Sequence, residues 1–301
     1  MNQKINTIKT GWQGIVADVP EDWCLAAVSG EGKEGYFRID STGTLVLEVK
    51  WSKFTGKANL HGRLTAYLES LKKKAKKSKL GFDYKINAKN EDTINFTWKS
   101  DRKAQGRIWK CDACGRILIA QLSGALNDDI SIEASKIFST FIDHSEDNWK
   151  IWGIYGLVTE VPPDYVLEKH QLMSGYIQLV FKKKNDKIVI ERWGLANTVL
   201  KNTALKDWFM LRSVYELRPY RFEIENVQFE EEQGLRLHGR RSSIKEHLRT
   251  VSEFLTLQKP SYKLDGYVWH CDESNKIFSI YTVHSKNENV IDEILERTVC
   301  H

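Results

Sequence analysis

The sequence predicts an α+β fold: two tandem copies of an antiparallel sheet packed with helices. Three observations carry this prediction. The chain repeats itself at the length of a whole domain. Its apolar residues alternate with polar ones in runs joined by short links. Stripes of apolar residues at helical spacing fall between and after those runs.

The repeat is read from matched motifs. Gly14-Ile15 followed by Val19-Pro20-Glu21-Asp22-Trp23 is answered 142 residues later by Gly156-Leu157 followed by Val161-Pro162-Pro163-Asp164-Tyr165. Gly35-Tyr36 is answered by Gly175-Tyr176, and Lys50-Trp51 by Arg192-Trp193. The sharpest match sets Gly106-Arg107-Ile108-Trp109-Lys110-Cys111-Asp112 against Gly266-Tyr267-Val268-Trp269-His270-Cys271-Asp272, 160 residues on. A unit of about 145 residues is the size of a domain and far longer than a solenoid repeat. The expected domains are 1–146 and 147–301, joined through the polar stretch His144-Ser145-Glu146-Asp147-Asn148.

The elements follow in order. Residues 45–49, 82–86 and 94–98 read as strands in copy one, and 187–191 in copy two. Arg107 to Leu122 reads as a hairpin turning at Asp112-Ala113-Cys114-Gly115, and Tyr267 to Val283 as its partner, turning at Asp272-Glu273-Ser274-Asn275. Leu60, Leu64, Leu68, Leu71 and Ala75 form one apolar helical stripe, with Gly81 as its expected C-cap. Its counterpart lies near Leu205 to Leu217. Ile130, Ala134, Ile137, Phe138 and Phe141 close copy one as a helix starting near Asp128 or Asp129, and Val290, Ile291, Ile294 and Leu295 close copy two. Copy two is longer, and the extra residues predict an inserted amphipathic helix near 240–260, where Ser243-Ile244-Lys245-Glu246 fits a capping box.

This order of elements, opened by Val19-Pro20-Glu21-Asp22-Trp23 and again by Val161-Pro162-Pro163-Asp164-Tyr165, resembles the Mog1/PsbP-like superfamily. The resemblance implies a protein-binding or assembly module and no catalyst. It transfers no individual functional residue. The tandem arrangement departs from the photosystem branch.

Composition narrows the classes. Only 19 Gly and 5 Pro among 301 residues exclude collagen-like and Pro/Gly-rich disordered chains. No apolar run approaches a membrane span, and Met1 to Trp12 has no signal-peptide core, so a cytoplasmic protein with no membrane association is expected. Five cysteines, an odd and sparse set, suit a reducing compartment. The formal net charge is +5, and removing the six lysines between Lys72 and Lys79 takes it to −1, so the positive charge is one local patch.

Each motif is weighed against its plain alternative. Gly30-Glu31-Gly32-Lys33-Glu34-Gly35 matches the dinucleotide pattern literally, but a strand follows it and two glutamates inside it repel phosphate; it reads as a hairpin loop. Cys111-Asp112-Ala113-Cys114-Gly115 is half of a tetrahedral zinc knuckle. Copy two keeps Cys271 but has Ser274 for the second thiol, and Cys271, His270 or Cys24 could complete the set only through tertiary structure; no metal and no cofactor are assigned. The tryptophans that match between copies, Trp51 with Trp193 and Trp109 with Trp269, read as core. No Walker A, H-E-x-x-H or G-x-S-x-G motif is present, and the reading leans away from an enzyme.

The expected function is a non-catalytic macromolecule-binding or assembly protein with a protein partner, working through an inter-domain groove or the copy-two insertion. The first alternative is binding of nucleic acid or another anionic partner by the lysine-rich helix 60–79, through Lys72, Lys73, Lys74, Lys76, Lys77 and Lys79. The second is an enzyme whose site is assembled only in three dimensions.

Overall fold

A computed structural model describes residues 6–30, 32–88, 92–229, 232–242, 262–285 and 290–300. The inserted helix expected near 240–260 falls, from residue 243 on, outside the described residues. The chain forms two compact units, 1–158 and 159–301.

Unit 1 opens with the hairpin β1 (Thr7–Trp12) and β2 (Ile15–Pro20). A seven-stranded antiparallel sheet follows: β3 (Cys24–Gly30), β4 (Glu34–Asp40), β5 (Val46–Lys53), β6 (Asp83–Ala88), β7 (Thr93–Lys99), β8 (Arg102–Cys111) and β9 (Arg116–Ala125). Its spatial order is β3-β4-β5-β9-β8-β7-β6. Helix α1 (Leu60–Lys77) lies between β5 and β6 in sequence, and α2 (Ser131–Ser139) closes the unit.

The pleat assigns the two faces. Ile94, Ile108, Ile117 and Phe96 meet Leu60, Leu64 and Leu68 of α1, whose spacing of four puts them on one helix face. Opposite them, Phe37, Ile39, Leu47, Val49, Leu118, Ala120 and Leu122 are fully buried and form the other face by register. Helix α2 and the first hairpin pack on the unit away from α1, with α2 against β2 and β8 and β1 against β3 and β4. Phe96 lies across Gly106, where an added Cβ would stand 2.2 Å from the ring. That close approach accounts for the glycine in the middle of β8.

Unit 2 has the same strand order. Its sheet contains β12 (Val166–Met173), β13 (Tyr176–Lys183), β14 (Asp186–Gly194), β15 (Tyr220–Phe229), β16 (Glu232–Arg241), β17 (Lys263–Cys271) and β18 (Lys276–His284), arranged β12-β13-β14-β18-β17-β16-β15. A short helix α3 (Ala196–Val199) and α4 (Leu205–Leu217) stand where α1 stands in unit 1, and α5 (Val290–Glu296) closes the chain as α2 closes unit 1. The hairpin before this sheet is β10 (Lys150–Ile154) and β11 (Leu157–Val161). Its first strand pairs with β1, Gly11 opposite Gly153, and the boundary between the compact units, at 158/159, falls within β11. The Pro20 and Pro162 turns have the same form: Trp23 N–H donates to the Pro20 carbonyl at 3.0 Å and Tyr165 N–H to that of Pro162 at 3.1 Å.

Two sequence readings are corrected. The α1 cap is Ser78 and not Gly81: Lys79 takes the left-handed conformation (φ 59°), its N–H bonds Lys76, and Leu80 N–H reaches back to Ala75, a Schellman ending. The Trp51–Trp193 match also fails. Trp51 sits opposite Leu118, on the face away from α1, and Trp193 opposite Ile277, in the core under α4. A one-residue slip of strand register exchanges the faces, and adjacent Lys-Trp and Arg-Trp pairs look alike in sequence whichever face they serve. Trp109 and Trp269 do correspond, each on the strand entering the last hairpin and each opposite a buried residue of the next strand, Leu118 and Phe278.

Candidate functional site

Helix α1 packs on β6, β7 and β8 and leaves the same face of β4 and β5 uncovered beside it. The gap is a groove of about 720 Å³ whose walls include Tyr36, Lys50, Arg63, Tyr67 and Ile119. Its floor is held by polar contacts. Tyr36 donates to Glu48 at 2.8 Å, Gln121 donates to the other Glu48 oxygen at 2.7 Å, and the Trp98 indole donates to Gln121 at 2.9 Å. The Lys50 ammonium stands over the rings of Tyr36 and Tyr67, 5.6 and 5.1 Å from their centroids. Burial, then Glu48, pushes both tyrosine hydroxyls above their ordinary range, so they remain neutral donors.

The six lysines of the run are all exposed, but they do not act as one set. Lys73, Lys74 and Lys77 line a shallow depression along α1 with Ala66, Glu69 and Ser70. Ala66 and Ser70 also line the groove, so the two hollows are continuous. Arg63, Ser70, Lys74 and Lys77 follow one another at helical spacing on that flank. Lys72 turns toward Glu69, 3.8 Å away. Lys76 and Lys79 lie outside both hollows.

Unit 2 fills the corresponding place. In unit 1 Tyr36 pairs across the strands with Lys50; in unit 2 Tyr176 pairs with Trp193. Trp193 meets Trp208 of α4 edge to face at 4.9 Å, and Trp208 stands three residues into its helix, as Arg63 does in α1. By register Glu191 stands at the place of Lys50 and Trp193 at that of Ser52, so unit 2 has a carboxylate where unit 1 has a cation, beside two packed indoles. Glu191 is buried on this face: Tyr176 donates to it, and Gln178 donates to it at 3.0 Å. Burial lifts the Glu191 carboxyl to about 7, with Glu216 adding to the rise and the Tyr176, Gln178 and Arg212 interactions opposing it.

A second constellation lies at the β8–β9 turn. Cys111 ends β8, Cys114 stands in the turn, and Gly115 closes it in the left-handed conformation (φ 62°). Asp143 and His144 arrive from the segment after α2, which is fixed by the backbone pair between Val16 and Ile142 (2.9 Å each way). The four ligand atoms lie within 4.8 Å of one another. Burial, then the Cys111 hydrogen bond, holds the Cys114 thiol at about 12, with Arg116 pulling the other way. Of the partners that the sequence offered for these thiols, Cys24 is exposed at the start of β3, His270 faces Asp272, and Cys271 belongs to a separate group with Glu232 and Cys300. Asp143 and His144 were missed because they stand about thirty residues from the knuckle and form no metal-ligand spacing with it.

No protein family and no curated protein matches the chain by sequence. Among solved structures, the Ran-binding protein Mog1p of Saccharomyces cerevisiae aligns at 11% identity over 52% of this chain and 96% of its own, with a TM-score of 0.33. The type VI secretion immunity protein TplEi of Pseudomonas aeruginosa aligns at 9% identity over 99% of both chains in its complex with the "L" peptide, with a TM-score of 0.37. Its apo form scores 0.35. At these scores the likenesses are distant ones of shape, and no functional residue is transferred from them. No described helix is long and apolar enough to cross a membrane.

Proposed function

We propose that the chain is a non-catalytic binding protein of two tandem copies of one domain, in which the first copy holds an acidic segment of a partner protein in the groove between α1 and the β4–β5 strands. The observation that carries this reading is the continuity of the groove with the lysine flank of α1. Lys50 and Arg63 stand in one hollow, Lys73, Lys74 and Lys77 in the next, and Ala66 and Ser70 join them. Such a row of cations raises the local concentration of an anionic chain and orients it along the helix. The tyrosine hydroxyls and the aliphatic floor at Ile119 suit side chains and backbone amides of a polypeptide. The identical strand orders of the two sheets support the duplication, with its boundary near 146. Glu191 at the register place of Lys50, and the Trp193–Trp208 pair packed beside it, support a division of labour in which unit 1 carries the binding of an acidic segment.

The test is fluorescence anisotropy with labelled poly-L-glutamate on the full-length protein at low salt. Binding is expected to weaken steeply as salt rises. The K73Q/K74Q/K77Q variant is expected to lose at least about tenfold in affinity, since exposed charge contacts each contribute a fraction of a kcal/mol. An oligothymidylate of equal charge should bind more weakly than the polypeptide. No binding at low salt, or preferential binding of the oligonucleotide, would reject the reading.

A further inference from the structure

We infer that Cys111, Cys114, His144 and Asp143 form a tetrahedral site for a zinc-class divalent cation at the β8–β9 turn of unit 1. The turn supplies the first two ligands. In a C-x-x-C-G hairpin knuckle the left-handed glycine folds the chain back, so that both thiols face one point. The other two ligands come from a segment 33 residues away and are held by backbone hydrogen bonds to β2. The site is thus pinned from two sides without any ion.

The Cys111–His144 distance fits a metal, and the contacts around His144 do not form a catalytic relay. Cys111 Sγ and His144 Nδ1 are 3.3 Å apart, close to the sulfur–nitrogen edge of a zinc tetrahedron, about 3.5 Å from ordinary bond lengths. Asp143 Oδ1 lies 2.7 Å from the same Nδ1. A thiol–imidazole–carboxylate relay would need sulfur on one ring nitrogen and carboxylate on the other. Here both lie on Nδ1, so no relay is formed; an ion would part the Asp143–His144 hydrogen bond, opening it toward the oxygen–nitrogen edge of a zinc tetrahedron, about 3.3 Å. The Trp109 indole donates to Asp143 Oδ2 at 2.9 Å, leaving Oδ1 for the cation, which is the outer-shell support that ligating carboxylates require.

Binding would displace one proton from each thiol and form two metal–thiolate bonds, with no change of oxidation state. Two thiolates, one carboxylate and a neutral imidazole around a dication leave one negative charge, and Arg116 adjoins Cys114 to offset it. Unit 2 provides an internal comparison. At the same place Trp269 bonds Cys300 as Trp109 bonds Asp143, but Ser274 stands at the position of Cys114. The group there has three ligands among the described residues, Glu232, Cys271 and Cys300.

The experiment is a cobalt titration of the full chain, freed of metal by a chelator and kept reduced by a phosphine. The wild type should take up one equivalent of cobalt with visible bands of tetrahedral geometry and a thiolate-to-cobalt charge-transfer band, all bleached by zinc. The C114S variant, which carries at that turn the residue unit 2 itself uses, should keep its far-UV circular dichroism and lose at least ~100-fold in zinc affinity. The C271S/C300S pair should leave the spectrum unchanged. Absent bands in the wild type, bands indifferent to C114S, or bands that follow Cys300 would each overturn the inference.

Discussion

Glu191 shows how a single residue in this fold is governed by burial. Its carboxyl is 5% exposed and hydrogen-bonded by Tyr176 and Gln178, with Glu216 nearby. Burial and the neighbouring carboxylate raise it from 4.5 to about 7. The folded state therefore holds this proton more tightly than the unfolded chain does. The corresponding stability is complete below the ordinary carboxylate range and is lost as pH climbs through 7, a change of roughly 3 kcal/mol. The E191Q variant should remove that fall: its unfolding free energy near pH 5 and near pH 8 should differ by less than in the wild type. Identical pH dependence in the two proteins would show that Glu191 is not the titrating group. Nothing in the sequence marks this residue. A glutamate closing an apolar run reads as solvent-facing, and its burial comes from α4 and the strands on either side.

At the scale of an element, α1 separates stability from function along its own circumference. Leu64 is fully buried, and L64A should cost about 2–5 kcal/mol and lower the melting temperature of the protein. Lys73, Lys74 and Lys77 are exposed on another flank, and replacing them with glutamine should change stability by less than about 0.5 kcal/mol each while weakening anion binding. Thermal unfolding of both variants checks the division; equal loss of stability in the two would contradict it. The helix was legible because the spacing of Leu60, Leu64 and Leu68 has no competing explanation. The strand at Thr93–Lys99 was legible through alternation, those around Val46–Lys53 and Lys187–Glu191 as apolar β-branched runs, and both last hairpins through their turn residues. The helix ending was not legible, because a Schellman turn can use a lysine where a glycine two residues on looks like the better candidate. The division of the lysine run was hidden as well. Only the position of β4 and β5 beside the helix decides which lysines border a groove.

At the scale of the molecule, the two units share architecture more than chemistry. Gly106 and Gly266, Trp109 and Trp269, and the Pro20 and Pro162 turns occupy matching places, and the strand orders agree. The positions that distinguish the units are those where side chains face the helix: Lys50 in unit 1 is answered by Glu191 in unit 2, and Ser52 by Trp193, which packs on Trp208. Sequence comparison of the copies obscured this exchange, because it paired Trp51 with Trp193 across a register difference of one residue. It also could not bring His144 and Asp143 to Cys111, since that meeting depends on α2 packing against β2 and β8. The cationic groove of unit 1, against a carboxylate at the Lys50 place in unit 2, is the physical basis for proposing that the first unit binds the partner. Hydrogen exchange of the full chain with and without poly-L-glutamate tests that assignment most directly. Slowed exchange should be confined to α1 and to β4–β5 around Tyr36 and Lys50, with α4 and β13–β14 unchanged; protection over α4, or none over α1, would contradict it.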